Sequence, residues 1–153
     1  MSDRKRIIFV DDEEKVIRSY QRALMDQDEV WDMSFVQSAE EGLAAFERSP
    51  FDVIVTDIRM PGMDGITLLK EIRKRWPNAI RIIISGQFDE KLVLNSIDLA
   101  HQYLFKPCDP DAIIKVIYDS CSIRNIIADE NLQQIVSGMD TIPSLPSLYN
   151  QIV

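Results

Sequence analysis

The chain has 153 residues, of which 46% are hydrophobic, a composition typical of a globular protein rather than a disordered one. Its 17 basic and 25 acidic side chains give a net charge of −8, which argues against direct nucleic-acid binding and suits a protein that collects a divalent cation. The two cysteines, Cys108 and Cys121, do not form a CxxC pair, so we expect neither a zinc site nor a disulfide framework. We find no apolar run with the length of a secretion signal or a membrane span, and we expect a cytoplasmic protein.

Short apolar runs alternate with helix-like segments along most of the chain. Strands are predicted for IIFVDD at 7–12, MSFV at 33–36, VIVTD at 53–57, IIISG at 82–86 and YLFKP at 103–107. Nearly continuous apolar runs of this kind are typical of strands that are covered on both faces of a parallel sheet.

Helices are predicted between the strands, because apolar residues there recur every three or four positions. Ser38 and Glu41 form a capping-box signature before the second helix, and Asp64 is expected to cap the third. Pro110 is expected in the first turn of the last helix. The predicted helices cover residues 13–27, 39–49, 66–76, 87–100 and 109–130. This alternation predicts an α/β fold with a doubly wound, five-stranded parallel sheet and helices on both faces.

The composition changes towards the end of the chain. Residues 1–125 are expected to form the folded domain, and the more polar residues 126–140 a helical extension or linker. Residues 141–153 contain two of the seven prolines and are too short to fold alone. We therefore expect them to be the beginning of a second, truncated domain.

Polar side chains end four of the five predicted strands. Asp11 and Asp12 end the first strand, Asp57 the third, Ser85 the fourth and Lys106 the fifth. Because the carboxyl ends of parallel strands share one edge of the sheet, we expect these groups to meet there. Crowded carboxylates repel one another unless a cation lies among them, and hard oxygen ligands suit Mg²⁺ or Mn²⁺.

Simpler roles are open for the same residues. Asp11 and Asp12 could merely cap the first helix, and Ser85 could be a turn residue. Asp57 and Lys106 at matching strand ends favour a site, since a lysine ammonium is a good partner for a phosphoryl oxygen. The set suits in-line attack of a carboxylate on a phosphoryl group, with the metal and the lysine stabilising charge on the oxygens and an acyl phosphate as product.

The motifs VDDEE, VIVTDIRMPGMDG, IIISG and YLFKP occur in this order, and together they resemble the receiver domain of bacterial two-component response regulators over roughly residues 5–125. The resemblance implies a flavodoxin-like fold with strand order 2-1-3-4-5. It also implies that Asp57 accepts a phosphoryl group from a sensor histidine kinase or phosphotransfer protein. Such a domain switches an attached output domain and catalyses only its own phosphorylation and dephosphorylation.

The resemblance also implies the ligands of the metal. Asp12 and Asp57 would bind Mg²⁺ together with the main-chain carbonyl of Arg59, and Asp11 would bind it through water. The Arg59 side chain departs from the common pattern, and it would obstruct or guide the phosphoryl donor and so tune the lifetime of the phosphorylated form.

Further roles follow from the resemblance at the fourth and fifth strands. Ser85 and Lys106 would contact the phosphoryl oxygens, Ser85 and Tyr103 would form the switch, and the Lys106–Pro107 peptide bond would be cis. The face made by the fourth helix, the fifth strand and the last helix would transmit the phosphorylation state of the receiver to the output domain. This face or the last helix could also pair two copies of the chain. The residues expected on that face include Lys91, Tyr103, Asp109 and Ile117.

His101, the only histidine, lies just before Tyr103 and so near the switch surface. The sequence AHQYL departs from the commoner form of this strand. We expect His101 to be a free surface residue without a functional role.

The last residues, TIPSLPSLYNQIV, are similar to the beginning of an HDOD output domain, a helical domain related to metal-dependent HD phosphohydrolases. The rival output is an HD-GYP cyclic-dinucleotide phosphodiesterase. Two alternatives to a working receiver are a pseudo-receiver that serves as a docking scaffold and a haloacid-dehalogenase-like phosphatase. The phosphatase should carry DxDx[TV] after its first strand, where this chain has DDEEK.

Overall fold

Five strands form one parallel sheet in the computed structural model, which describes residues 4–86, 91, 94 and 98–128. The strands are β1 (Lys5–Val10), β2 (Trp31–Val36), β3 (Val53–Thr56), β4 (Ile80–Ser85) and β5 (Gln102–Phe105). Their spatial order is β2-β1-β3-β4-β5. This confirms the predicted doubly wound α/β sheet with its flavodoxin-like order.

Helices connect the strands as expected for parallel pairing. They are α1 (Glu14–Ala23), a short 3₁₀ helix (Met25–Gln27), α2 (Ala39–Arg48), α3 (Gly65–Arg75) and the C-terminal helix (Pro110–Ala128). The predicted fourth helix at 87–100 lies largely outside the described residues, within which Lys91 and Leu94 are helical. The predictions for 129–153 also lie outside them.

Both faces of the sheet are covered, which explains why the central strands are apolar without alternation. One core lies between the sheet and helices α2 and α3, and its buried members include Ile8, Val10, Phe46, Ile54, Leu68, Leu69, Ile72 and Ile83. The other lies between the sheet and α1 with the C-terminal helix, and it includes Ile7, Phe9, Ile17, Val53, Val55, Ile82, Ile113, Val116 and Ile117. Each such side chain contributes about 2 kcal/mol by leaving water. The two layers hold the strand ends in fixed register.

Side chains cap two helices at the positions that the sequence predicts. The Ser38 hydroxyl accepts a hydrogen bond from the Glu41 N–H at 3.0 Å, and Asp64 Oδ1 accepts from the Thr67 N–H at 2.8 Å. Both bonds satisfy N–H groups that a helix leaves unpaired in its first turn. Pro110 begins the C-terminal helix, also as predicted. The Asp64 cap fixes the start of α3, next to the end of β3.

Candidate functional site

Three carboxylates meet at the carboxyl ends of β1 and β3. Val10 pairs with Thr56 in the sheet, so Asp11 and Asp57 leave neighbouring strands side by side, and the Asp57 N–H donates to the Val10 carbonyl at 3.0 Å. Asp11, Asp12 and Asp57 each offer an oxygen atom, and the three atoms lie within 4.8 Å of one another. Asp11 is 1% exposed and Asp57 8%, while Asp12 is half-buried. The pairing of β1 with β3 thus brings together residues from distant parts of the sequence.

Lys106 joins this cluster from the end of β5. Its Nζ donates to Asp11 Oδ2 at 2.6 Å and to Asp57 Oδ2 at 3.0 Å. The Lys106 N–H donates to the Ser85 carbonyl at 2.8 Å, so the pairing of β4 with β5 continues to this residue and holds its backbone. One ammonium group therefore bridges the two most buried carboxylates of the cluster.

The remaining oxygens of the two buried carboxylates accept backbone hydrogen bonds. Asp57 Oδ1 accepts from the Ile58 N–H at 2.7 Å, and Asp11 Oδ1 accepts from the Glu13 N–H at 2.9 Å. The Asp11 bond lies just before α1, whose N-cap is Glu13, and it orders the segment that leads from β1 into the helix. The simpler role of helix cap is therefore not what the structure shows, because neither Asp11 nor Asp12 is the N-cap of α1 and no side chain caps this helix.

Burial and pairing act in opposite directions on the charges of the site. Burial raises the pKa of Asp11 above its ordinary value, and the hydrogen bond and positive charge of Lys106 offset only part of this effect. Burial alone would lower the pKa of Lys106, but the hydrogen bonds to Asp11 and Asp57 and their negative charges raise it above its ordinary value. The ammonium is thus held in its charged form, whereas the buried Asp11 charge is only partly compensated.

The donor set fits Mg²⁺. The cluster offers only hard carboxylate oxygens, from two buried residues and one half-buried residue, in a group small enough to surround one ion. A divalent cation would also compensate the Asp11 charge that Lys106 leaves partly uncompensated.

The structure places the other predicted site residues around this cluster. Ser85 is buried at the end of β4, and Arg59 is exposed in the loop after Asp57. Tyr103 is half-buried, its hydroxyl oxygen is shielded from solvent, and its ring lies 4.9 Å from that of Phe105. The peptide bond between Lys106 and Pro107 is cis.

His101 is not the free surface residue that the sequence analysis expected. The imidazole Nδ1 of His101 accepts a hydrogen bond from the Arg81 main-chain N–H at 2.9 Å. The main-chain N–H of His101 donates to the Arg81 carbonyl at 2.7 Å. The imidazole thus continues the pairing of β4 with the segment that leads into β5. A single histidine gives no sequence signal for such a bond, because its partner lies in another strand.

Two neighbours of Asp57 are not singled out by the sequence patterns. Thr56 is 1% exposed, and its hydroxyl donates to the Asp57 main-chain carbonyl at 2.9 Å. Gly65 lies so close that a Cβ at its position would collide with that carbonyl oxygen. The only available signals were a hydroxyl at the end of an apolar run and a glycine directly after a capping aspartate.

Comparison with known proteins identifies the family. The sequence profile of the response regulator receiver domain matches residues 7–118. The chain belongs to this family. It is 36% identical to the hydrogenase transcriptional regulatory protein HoxA of Cupriavidus necator over 132 residues, which are 84% of this chain and 27% of that protein. It is also 38% identical to the DNA-binding transcriptional regulator NtrC of Salmonella typhimurium over 82 residues, 53% of this chain and 18% of NtrC.

Solved structures share the receiver fold. The CheY-like receiver domain protein from Methanospirillum hungatei superposes with a TM-score of 0.76 at 27% identity, and the match covers 80% of this chain and 98% of that one. The signal receiver domain of an HD domain-containing protein from Pseudomonas fluorescens gives 0.75 at 26% identity, with the same coverage. The receiver domain of a two-component response regulator is a signalling domain, and this chain spans about a quarter of the length of HoxA. In the described part of the chain, no helix has the length and apolar character needed to cross a membrane.

Proposed function

We propose that Asp57 accepts a phosphoryl group from a sensor histidine kinase or phosphotransfer protein in the cytoplasm, with Mg²⁺ or Mn²⁺ as cofactor. The proposal rests mainly on one observation, the buried Asp57 carboxylate flanked by Asp11 and bridged to it by Lys106. A carboxylate in this setting is fixed in place and adjoins both a cation and a group of metal ligands, as phosphoryl transfer requires.

The chemistry at Asp57 is an in-line displacement. A carboxylate oxygen of Asp57 forms a bond to phosphorus while the bond from phosphorus to the donor's histidine nitrogen breaks, and the electron pair of that bond leaves with the nitrogen. Asp11, Asp12, Asp57 and the main-chain carbonyl of Arg59 would hold Mg²⁺, which supplies positive charge for the phosphoryl oxygens when bound. Lys106, now hydrogen-bonded to Asp57 Oδ2, would transfer this bond to a phosphoryl oxygen.

The phosphorylated state would be transmitted through Ser85 and Tyr103. Ser85 ends β4 and Tyr103 lies in β5, and Lys106 is anchored to the Ser85 carbonyl, so a change at the phosphoryl group reaches both strands. Two apolar side chains are exposed in this part of the chain, Leu94 of the predicted fourth helix at 67% and Phe105 of β5 at 43%. We propose that the predicted face made by the fourth helix, β5 and the C-terminal helix, or the C-terminal helix alone, contacts a second copy of the chain. Light scattering before and after phosphorylation tests this.

The regulated partner would be the chain's own output domain. In this proposal residues 1–125 are the receiver, 126–140 a helical linker and 141–153 the beginning of an HDOD-like domain, with HD-GYP as the rival type. The similarity to the receiver of an HD domain-containing protein supports an output domain of the HD type and does not distinguish HDOD from HD-GYP. Replacing residues 141–153 by the complete natural output domain and measuring metal-dependent phosphodiesterase activity would separate the two types, because activity would overturn the HDOD assignment.

The test of the phosphoacceptor uses acetyl phosphate as donor. Incubation of the protein with acetyl phosphate and Mg²⁺, followed by intact-mass measurement, should show the gain of one phosphoryl group, which a chelator prevents. Asp57→Asn should gain none, since an amide is a poor nucleophile. Asp52→Asn, which alters a carboxylate that accepts from the Arg6 N–H in another part of the fold, is the matched control and should label normally.

Each alternative function gives a different result in the same test. A pseudo-receiver that only docks partners would gain no mass in either form. A haloacid-dehalogenase-like phosphatase would turn over a small phosphate ester repeatedly, whereas a receiver is modified once and releases the group slowly. Labelling of Asp57→Asn at the wild-type level would reject Asp57 as the acceptor.

A further inference from the structure

The main-chain carbonyl of Asp57 has an unusual hydrogen-bond partner. In the described part of the chain, no backbone N–H donates to this oxygen, and the hydroxyl of the preceding residue, Thr56, donates to it instead at 2.9 Å. Thr56 is the last residue of β3 and is 1% exposed. Burying a hydroxyl without a hydrogen-bond partner costs free energy of folding, so this bond stabilises the buried end of β3.

The carbonyl that Thr56 holds belongs to the same planar peptide group as the Ile58 N–H. That N–H donates to Asp57 Oδ1 at 2.7 Å. Any rotation of this peptide plane therefore moves the donor that holds the Asp57 carboxylate. The Thr56 hydroxyl donates to the carbonyl oxygen of this peptide, and the N–H of the same peptide donates to the Asp57 carboxylate.

The start of α3 confines the same peptide. The Gly65 backbone lies against the Asp57 carbonyl, and the Gly65 N–H donates to the Ile58 carbonyl at 2.7 Å. Both Thr56 and the start of α3 thus restrict the position of this peptide. The Ile58 N–H binds Asp57 Oδ1 and Lys106 binds Asp57 Oδ2, so hydrogen bonds to both oxygens fix the orientation of the Asp57 carboxylate.

We propose that Thr56 is a positioning residue for the phosphorylation of Asp57, acting through the Asp57–Ile58 peptide to orient the carboxylate for in-line attack. The inference rests on the proposed function of Asp57. Valine has the branched shape of threonine without its hydroxyl, so packing beside Val10 and Ile83, the register partners of Thr56, does not by itself call for a hydroxyl here. The bond is directed at the one peptide that binds the reacting side chain.

Four variants test this role. Thr56→Val removes the hydroxyl and keeps the branched shape, and Thr56→Ala removes both. Thr56→Ser keeps the hydroxyl, and Ile54→Val is the control for a loss of stability. Ile54 is fully buried in the same strand, so its shortening costs stability without touching the peptide. For each variant the phosphorylation rate is measured at saturating Mg²⁺ against acetyl phosphate concentration, alongside thermal unfolding.

We expect Thr56→Val and Thr56→Ala to lower the maximal rate about tenfold, with little change in the acetyl phosphate concentration at half-maximal rate, because misorientation slows the chemical step. Thr56→Ser should stay within about twofold of the wild type, and so should Ile54→Val. The amide proton of Ile58 should also shift upfield in the NMR spectrum of Thr56→Val and stay in place in Thr56→Ser, a readout that does not depend on activity.

Distinct outcomes separate this inference from the proposed function. If the wild type is labelled on Asp57 and Thr56→Val reacts equally fast, the positioning role is wrong and the acceptor assignment stands. If Thr56→Ser is as slow as Thr56→Val, the hydroxyl is not the cause and the role is also wrong. If the wild type is not labelled at all, the proposed function fails and this inference fails with it.

Discussion

Asp11 is the most deeply buried carboxylate of the site, and Lys106 offsets only part of the effect of burial on its charge. Burial makes this residue easier to protonate in the folded than in the unfolded chain, so its pKa is raised above the ordinary value of 3.8. A raised folded pKa stabilises the protein fully below the unfolded pKa, and this contribution is lost as the pH rises through the folded value. At neutral pH, without a metal ion, Asp11 therefore opposes folding.

We predict that Asp11→Asn raises the stability of the metal-free protein at pH 7 by about 1 kcal/mol. The gain should shrink as the pH falls towards the unfolded pKa of Asp11, because the wild-type residue then becomes neutral too. Thermal unfolding in a chelator at several pH values measures this. In excess Mg²⁺ the gain should also shrink, since an ion that binds the folded state stabilises the wild type.

Asp12→Asn is the matched control, because Asp12 is half-buried and Lys106 bonds to Asp11 and Asp57. It should change the stability of the metal-free protein less than Asp11→Asn does. A metal-free Asp11→Asn protein that is less stable than the wild type at pH 7 would show that the bond to Lys106 outweighs the cost of burial.

The sequence predicted that Asp11, Asp57 and Lys106 would meet, because the carboxyl ends of parallel strands lie at one edge of the sheet whatever their side chains contact. Asp11 and Lys106 are 95 positions apart in the sequence, and yet Lys106 Nζ lies 2.6 Å from Asp11 Oδ2. Such an approach is possible because both residues follow strands of one parallel sheet. Thr56 was missed for a physical reason. A threonine at the end of a strand has high β propensity in any case, so its hydroxyl carries no separate signal.

At the scale of elements, the start of α3 is built against the end of β3. A Cβ on Gly65, the first residue of α3, would collide with the Asp57 carbonyl oxygen and lie 2.9 Å from the Ile58 Cα, and neither backbone atom can move aside cheaply. Gly65→Ala should therefore cost about 3 kcal/mol or more and displace the Asp57–Ile58 peptide. Denaturant unfolding measures the loss, and the acetyl phosphate reaction should slow with it.

Gly86→Ala is the control at the same edge of the sheet. The nearest atom to a Cβ there is Lys106 Cδ at 3.7 Å, an ordinary van der Waals contact at the end of a flexible side chain. This substitution should change stability by less than about 1 kcal/mol. Equal losses in the two variants would mean that the close approach at Gly65 is relieved by a small shift of α3.

Strand boundaries were the least accurate part of the sequence prediction. β1 and β2 each begin two residues earlier than the apolar pattern indicates, at Lys5 and Trp31. Arg6 and Asp32 hide these starts, since each is charged and breaks the apolar run. They are register partners across the two strands, with Arg6 Nε 3.2 Å from Asp32 Oδ2, and this pairing cannot be read from either segment alone.

At the scale of the whole molecule, the fold was predictable because independent patterns agree. Apolar strands, capped helices and polar strand ends all favour one doubly wound sheet, and this consistency is what specifies a fold. Residues 141–153 could not be interpreted in the same way, because they are too few to show a strand or helix pattern of their own.

The C-terminal helix extends to Ala128, and its first turns contribute side chains to the receiver core. Its residues Ile113, Val116 and Ile117 are 3%, 1% and 0% exposed and complete the core beneath α1. We predict that a chain ending at Ala128 unfolds at the same temperature as the full chain and is phosphorylated equally fast. A chain ending at Asp109 should show no cooperative transition, because it loses three core side chains worth about 2 kcal/mol each from a total stability of about 5–15 kcal/mol. Circular dichroism melts of the three chains measure this, and a cooperative transition in the shortest chain would show that the sheet with α1, α2 and α3 folds alone.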